Sequence, residues 1–278
     1  MIDPLLLDLK TLEANVRALF ALDDDLLSLI SPPDTDPIRK YYVRAVKYIR
    51  AGDYETAQRL IYGGKVPDDF KKTIQRTVNE VYLLQRNLEW AKPGIMRTFR
   101  FWSEAEKKDY IAMASRVVGD LNKSGLNACL GFGSVLSFVR DRDLMPHDDD
   151  LDIIVAMDQS IRSFPAALDA IRGRLVDMGH EVSGDFLGHC HVVVAGDIVV
   201  DVFAGIAEDE YVTWFPGPRR AIKRSDVYAP IEARFLGVES LFPKNPYRYL
   251  ELIYGHDWEK PKPLWNHIWD QEAISDLL

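Results

Sequence analysis

The stretch MPHDDDLDIIV, residues Met145 to Val155, sets four acids directly against an apolar run. Side chains of an extended strand alternate between its two faces. A strand over Asp150 to Val155 therefore turns Asp150 and Asp152 to one side, with Leu151 and Ile153 on the other, in a core. Asp148 joins the first side if the strand begins early. Two carboxylates fixed next to each other repel strongly. A hard divalent cation between them, Mg²⁺ or Mn²⁺, relieves that repulsion. Acid-rich runs commonly form solvated turns, which is the plain reading for Asp148 and Asp149. The apolar flank of Asp150 and Asp152 argues for metal binding.

Two neighbouring stretches extend this reading. Downstream, Asp201 sits in VVDVF (Val199 to Phe203), an acid inside an apolar strand. Burying a lone carboxylate is expensive, so Asp201 either meets a buried arginine or completes a three-carboxylate cluster with Asp150 and Asp152. Such a cluster can hold ions that clamp a phosphoryl group during in-line displacement. Upstream, GFGS (Gly131 to Ser134) reads as a strand-to-helix turn. Glycine lets backbone approach a ligand closely, and free N–H groups at a helix start favour an anion. Gly133 and Ser134 are thus candidates for binding phosphate, the alternative being an ordinary turn.

The surrounding chain alternates helices and strands. Ser103 and Glu106 form a capping box, and Ile111, Ala114, Val118 and Leu121 mark the buried face of the helix that comes next. ACLGF (Ala128 to Phe132) reads as a short strand and residues 159 to 178 as a long amphipathic helix. HVVVA, a Gly196-Asp197 turn and IVVDVF read as a hairpin. YVTWF (Tyr211 to Phe215) adds a strand, and the rest reads as loop and short helix with a Trp-rich tail.

Residues 1–95 read as helical. Leu5, Leu9, Leu12, Val16 and Leu19 recur at helical spacing, and Ser31 to Pro37 breaks the pattern. YYVRAVKYIRAGDYETAQRLI looks like one tetratricopeptide-type hairpin, without a second copy, and residues 69–91 form another helix. Lys92-Pro93-Gly94 is the expected boundary. The expected class is α+β: a helical N-terminal region, 1–95, then a small mixed sheet packed with helices, 96–278. A helical cap on the main domain is the favoured role for the arm, ahead of a separate protein-binding module.

Composition narrows the function classes. The 278 residues carry a net charge of −9 and a pI near 5.2. An acidic surface repels phosphate backbones, which argues against nucleic acid as a partner. Two cysteines, Cys129 and Cys190, both in apolar runs, read as buried thiols rather than a disulfide framework. The N-terminus lacks a signal-peptide pattern and no run is long enough to span a membrane. The expectation is a soluble, cytoplasmic protein, with peripheral docking at the inner face of a membrane left open.

At these residues the chain resembles the LicD/fukutin family, a branch of the nucleotidyltransferase fold. GFGSVLSFVRDRDLMPHDDDLDIIV (Gly131 to Val155) follows the order of the family's glycine-threonine turn, arginine, proline and D-D-D-h-D cluster. Arg140 falls on the arginine, Pro146 on the proline, and Asp148 to Asp152 on the acids. VVDVF resembles the family's isoleucine-aspartate-isoleucine-phenylalanine strand. YLELIYGHDWEKP resembles its tyrosine-glycine-aspartate-tryptophan-proline ending, through Tyr254, Gly255, Asp257, Trp258 and Pro261. His147 departs from the usual tryptophan, Ser134 from the threonine, and the Asp141–Leu144 loop is more charged than the pattern.

The resemblance implies a nucleotidyltransferase-like sheet. It also implies transfer of a phosphorylated small group, phosphocholine or alditol phosphate, from a CDP-activated donor to a glycan or glycolipid acceptor in cell-surface polysaccharide synthesis. Asp150, Asp152 and Asp201 would hold Mg²⁺ or Mn²⁺, with Asp201 a candidate proton acceptor. Gly133, Ser134 and Arg140 would bind donor phosphate, and the basic segment Pro216–Arg224 could cover an anionic substrate. His189 and His191 alternate on one strand face near Asp201, where a structural role or a substrate hydrogen bond is favoured over zinc; His147, at the family's tryptophan position, is given no role. Three other readings use the same residues differently: a nucleotidyltransferase moving a whole NMP unit, a D-x-D glycosyltransferase, and a non-catalytic scaffold in which the arm binds a protein partner.

Overall fold

The computed structural model describes residues 8–32, 36–64, 66–92, 94–262, 267 and 270–278. Leu5, Pro33, Pro93, Trp265 and Trp269 lie outside the described residues. The chain forms two compact units, Met1–Phe101 and Trp102–Leu278.

The first unit is helical: α1 (Leu9–Phe20), α2 (Asp24–Leu29), α3 (Pro37–Arg50), α4 (Tyr54–Gly63) and α5 (Asp68–Val78). Aspartates cap four of the five. Asp8, Asp23, Asp36 and Asp53 each accept a backbone N–H of the first turn, satisfying donors that a helix start leaves unpaired. Val16, Val46, Ile49, Phe70 and Ile74 are fully buried in its core, and α3 packs on α4 as the hairpin pattern predicts. The helix expected over 69–91 is shorter. Past α5 the helix continues with a wider winding over Asn79–Leu83 and a tighter turn over Leu84–Arg86, then gives way to β1 (Glu89–Trp90), which pairs with β2 (Ile95–Met96). That pairing spans the expected break at residues 92–94 and ties residues 95 and 96 to the helical unit.

The second unit opens with α6 (Glu104–Lys123), whose expected capping box is present. Its sheet contains β3 (Asn127–Leu130), β4 (Asp152–Ala156), β5 (Glu181–Ser183), β6 (His189–Ala195), β7 (Ile198–Glu208), β8 (Tyr211–Trp214) and β9 (Ile222–Lys223), with α7 (Phe132–Leu136) and α8 (Phe164–Asp177) between strands. The order is β3-β4-β7-β6-β5, with β8 on the far half of β7 and β9 beyond it. Only β4 and β7 run parallel; the other pairs are antiparallel. This is the mixed α+β sheet expected.

Ile153, Ile154 and Val155 are all fully buried, so β4 is covered on both faces, as a continuous apolar run requires. The expected β6–β7 hairpin forms, and its partner residues set the register at the site. The region read as loop and short helix also holds α9 (Arg224–Val227), a hairpin of β10 (Ile231–Phe235) with β11 (Val238–Phe242), and α10 (Pro246–Tyr254). The β10–β11 hairpin carries little sequence signal because Glu232, Arg234 and Glu239 break its apolar pattern. No helix among the described residues is long and apolar enough to cross a membrane.

The turn after β3 is tightly fitted. Gly131 donates to the Asp152 carbonyl at 2.9 Å, and a Cβ at Gly131 would lie 2.4 Å from Cγ2 of Ile154. Gly131→Ala therefore forces β3 and β4 apart and costs about 1–3 kcal/mol. Chemical denaturation checks this; unchanged stability would mean that the strands have room to yield.

Candidate active site

Asp152 opens β4 and Asp201 lies on β7. The two are partners in the parallel register, and Asp201 N–H donates to the Leu151 carbonyl at 3.0 Å. Laterally paired strand residues face the same way, so the two carboxylates share a face. The regular strand begins at Asp152 rather than Asp150. Asp148, Asp149 and Asp150 form the turn leading into it, pinned by Asp148 N–H on the Met145 carbonyl at 3.0 Å. Carboxylate oxygens of these three lie within 4.8 Å of one another.

The glycine turn meets this cluster from above. Gly133 N–H donates to Oδ2 of Asp152 at 2.8 Å. A Cβ at Gly133 would lie 3.1 Å from that oxygen and 3.3 Å from Oδ2 of Asp148, which is the close approach its glycine permits. Ser134 is fully buried. Its hydroxyl accepts from Asp152 N–H at 2.8 Å and donates to the Asp152 carbonyl at 3.2 Å. In this structure Ser134 grips the acid-bearing strand, and Gly133 orients its carboxylate. Arg140 forms a two-pronged ion pair with Asp141, both contacts 2.8 Å, and reaches the Trp258 carbonyl at 3.5 Å. It joins the loop after α7 to the C-terminal box.

Three tyrosines that sequence pattern does not single out build the rest. The Tyr110 hydroxyl on α6 accepts from Leu151 N–H at 2.9 Å and donates to the Val199 carbonyl. One buried phenol thus clamps the entrances of both acid-bearing strands. The Tyr249 hydroxyl accepts from Phe132 N–H at 3.0 Å, holding the turn where Phe132 takes a φ of 34°. Tyr254, which entered only through the C-terminal resemblance, is half-buried within electrostatic reach of Asp152, Asp148 and Arg140. A polar aromatic at helical spacing looks like ordinary core in sequence, so only the resemblance offered a signal.

On the other side of β7, β6 places His191 directly opposite Asp201. Its Nε2 lies 3.2 Å from Asp201 Oδ1, and His189 Nε2 lies 3.7 Å from Oδ2. Burial lowers both imidazoles, His189 to about 4. The basic segment Pro216–Arg224 is tied to acids of the β7–β8 region. Arg219 pairs with Glu208 at 2.7 Å and also with Asp276, Arg220 with Asp209, and Lys223 with Glu210.

Burial and mutual repulsion raise these carboxyls. Asp148 and Asp152 are held well above the ordinary range, first by burial and then by the charge of Asp150. Asp149 is raised to about 7 and Asp201 to about 8 for the same reasons. Folding therefore favours their protonated forms. Without metal, the cluster's contribution to stability declines as pH rises from 3.8 to about 8. Because a cation competes with these protons, its affinity strengthens over the same range. Urea unfolding in chelator at about pH 5 and about pH 8, wild type against Asp201→Asn, checks this. The wild type loses more stability on the alkaline side; equal losses would contradict the assignment.

The donor set fits a hard divalent cation. Oxygens of Asp148, Asp149 and Asp150 converge, whereas Asp201, expected to close a cluster with Asp150 and Asp152, groups its ligand atom with His189 and His191 and reaches the acids through its register pairing with Asp152; its Oδ1 is buried and accepts no hydrogen bond from any described residue. A mixed sheet with acids on adjacent strands beneath a glycine-serine turn has the layout of a nucleotidyltransferase-type domain, which moves phosphate-linked groups. Residues 125–245 match the family described as LicD/FKTN/FKRP, nucleotidyltransferase domain. The match agrees with the resemblance read from the sequence, and the matched stretch includes Gly133, Ser134, Arg140, the acid cluster and Asp201.

Comparison with curated proteins finds no match. Among solved structures, a crystal structure of ANT(2″)-Ia in complex with adenylyl-2″-tobramycin is 15% identical, covering 60% of this chain and 84% of that one, at a TM-score of 0.35. A solution structure of ANT(2″)-Ia is 16% identical, covering 62% and 82%, at the same TM-score. Likeness at that level says nothing of this chain's substrate.

Proposed function

We propose that the protein transfers a phosphorylated small group, of the phosphocholine or alditol-phosphate type, from a CDP-activated donor to a glycan acceptor in polysaccharide synthesis, with Mg²⁺ or Mn²⁺ at the acid cluster. The observation that carries this reading is the lateral pairing of Asp152 with Asp201, with Asp148–Asp150 at the strand entrance. Asp150, Asp152 and Asp201 are the metal-holding residues, with Asp148 beside them. When bound, the ion neutralises charge on the donor phosphates.

The chain's own groups do the rest. Gly133 and Ser134 fix Asp152 in place, and the Gly133 backbone leaves room for a phosphate to come close. Asp201, beside the ion, is the candidate to take the proton of the attacking hydroxyl. Arg140 is the candidate cation for the donor phosphates, which requires it to exchange Asp141 for an incoming anion. The second unit is the catalytic domain. The CDP donor and the glycan acceptor come from the family resemblance.

Thermal shift with CDP-choline and CDP-alditols, each with Mg²⁺ or Mn²⁺, tests the reading. Stabilisation that depends on metal and disappears in Asp150→Ala supports it by linkage. Product analysis then separates the chemistry: released CMP fits the proposal, pyrophosphate fits NMP transfer, and a free nucleoside diphosphate fits a glycosyltransferase. No stabilisation by any CDP-linked compound overturns the donor assignment.

A further inference from the structure

The strand pair β6–β7 holds a second group of donor atoms on the far side of Asp201. His189 and His191 are two apart on β6 and share a face, and the antiparallel register sets His191 opposite Asp201. All three residues offer a ligand atom within 4.8 Å of the others. The histidine-to-carboxylate distances are 3.2 and 3.7 Å. Two donors on a tetrahedral ion with bonds of 2.0–2.2 Å lie about 3.3–3.6 Å apart; the contacts of His191 to Oδ1 and of His189 to Oδ2 bracket that range, so small side-chain adjustments bring the three residues onto one cation.

Two further observations point to an ion rather than a simple hydrogen bond. Asp201 Oδ1 is buried and accepts no hydrogen bond from any described residue, although His191 Nε2 lies 3.2 Å away. The contact is close but lacks the alignment of a donated proton. The rings are also fixed in advance. His189 is stacked on Phe186 with centroids 4.4 Å apart and planes 2° apart, and it lies 4.7 Å from the Phe203 ring on its other contact. Rigid, preset imidazoles lose little freedom on binding a metal.

We propose that His189, His191 and Asp201 bind one zinc-class divalent ion, with Asp201 shared between this site and the oxygen-only cluster on β4. Imidazole nitrogen selects zinc and its transition-metal neighbours over Mg²⁺, whereas carboxylates alone favour Mg²⁺ or Mn²⁺. One face of the sheet would thus present two sites of different preference on either side of β7. Three protein ligands leave a further coordination position open. The inference concerns a second ion and stands or falls apart from the identity of the donor.

The test is direct metal binding by the full chain after chelator treatment. Zn²⁺ is titrated calorimetrically, and Co²⁺ is titrated while its visible absorption is followed as a report on nitrogen ligation. The expected result is one Zn²⁺ per chain, with an imidazole-type Co²⁺ spectrum. His189→Ala and His191→Ala each weaken Zn²⁺ by about a hundredfold or more, the upper end of what even outer partners of metal ligands cost. Asp150→Asn leaves Zn²⁺ binding in place. If the alanine variants fail to fold, His189→Asn and His191→Gln are read in the same titration. Zn²⁺ binding that survives the histidine changes, or that Asp150→Asn abolishes, overturns the assignment. Loss of donor-dependent stabilisation with Zn²⁺ binding intact would count against the transfer reading and leave this site standing.

Discussion

Asp152→Asn lowers the rate of group transfer by about a thousandfold while leaving the fold intact. Losing a ligand removes several kcal/mol of charge stabilisation, at 1.36 kcal/mol per tenfold. The fold survives because the amide keeps the size of the side chain and an oxygen for the Gly133 N–H, now 2.8 Å from Oδ2. The backbone grip by Ser134 does not involve the side chain at all. Removing one charge also relieves repulsion that helps raise Asp148, so the metal-free variant is at least as stable as wild type near neutral pH. Turnover of a CDP-linked donor, paired with urea unfolding in chelator, measures both. Substantial activity in the variant would remove Asp152 from the site. Lost activity accompanied by lost stability would make it a structural acid.

The second large effect falls on stability. Tyr110→Phe removes one hydroxyl and orphans two backbone groups, the buried Leu151 N–H and the part-buried Val199 carbonyl. Each unsatisfied buried group costs about 1–3 kcal/mol, so the variant loses about 2–4 kcal/mol. These groups sit at the entrances of β4 and β7, immediately before Asp152 and two residues before Asp201. Metal affinity therefore falls along with stability, although the tyrosine is not itself a metal ligand. Denaturation and Mn²⁺ titration of the same variant report the two effects. A variant as stable as wild type would show that the strand entrances are held by other contacts.

The site was legible in sequence where chemistry and pattern coincide. Apolar runs on both sides of Asp201 and after Asp152 foretold buried strands. An acid in each is costly enough that their meeting in register follows from one economical expectation. The family resemblance, which the match over residues 125–245 bears out, supplied the class. What stayed hidden depends on contacts distant in sequence. Tyr110 lies 41 residues from Leu151 and 89 from Val199, and nothing in a helix pattern marks a phenol as a clamp. Ser134 reads as a free donor because a turn hydroxyl is usually exposed; here it is turned inward onto Asp152. The strand expected from Asp150 begins at Asp152, since the crowded acids before it form a turn. The arm was legible as helices because capping aspartates and helical spacing are local signals, whereas the short β1–β2 pairing that extends its unit is not.

Asp201 and the Asp148–Asp152 cluster act together only if they hold one hard divalent cation between them. Mn²⁺ titration followed by electron paramagnetic resonance reads that out, at about pH 8 where the raised carboxyls are open to metal. Run with wild type and with Asp201→Asn, each also carrying His189→Ala and His191→Ala to silence the imidazoles, it isolates the oxygen ligands. The expected result is a bound Mn²⁺ signal that Asp201→Asn weakens at least tenfold. Equal binding with and without the carboxylate at 201, or no bound ion in either protein, would contradict the shared site.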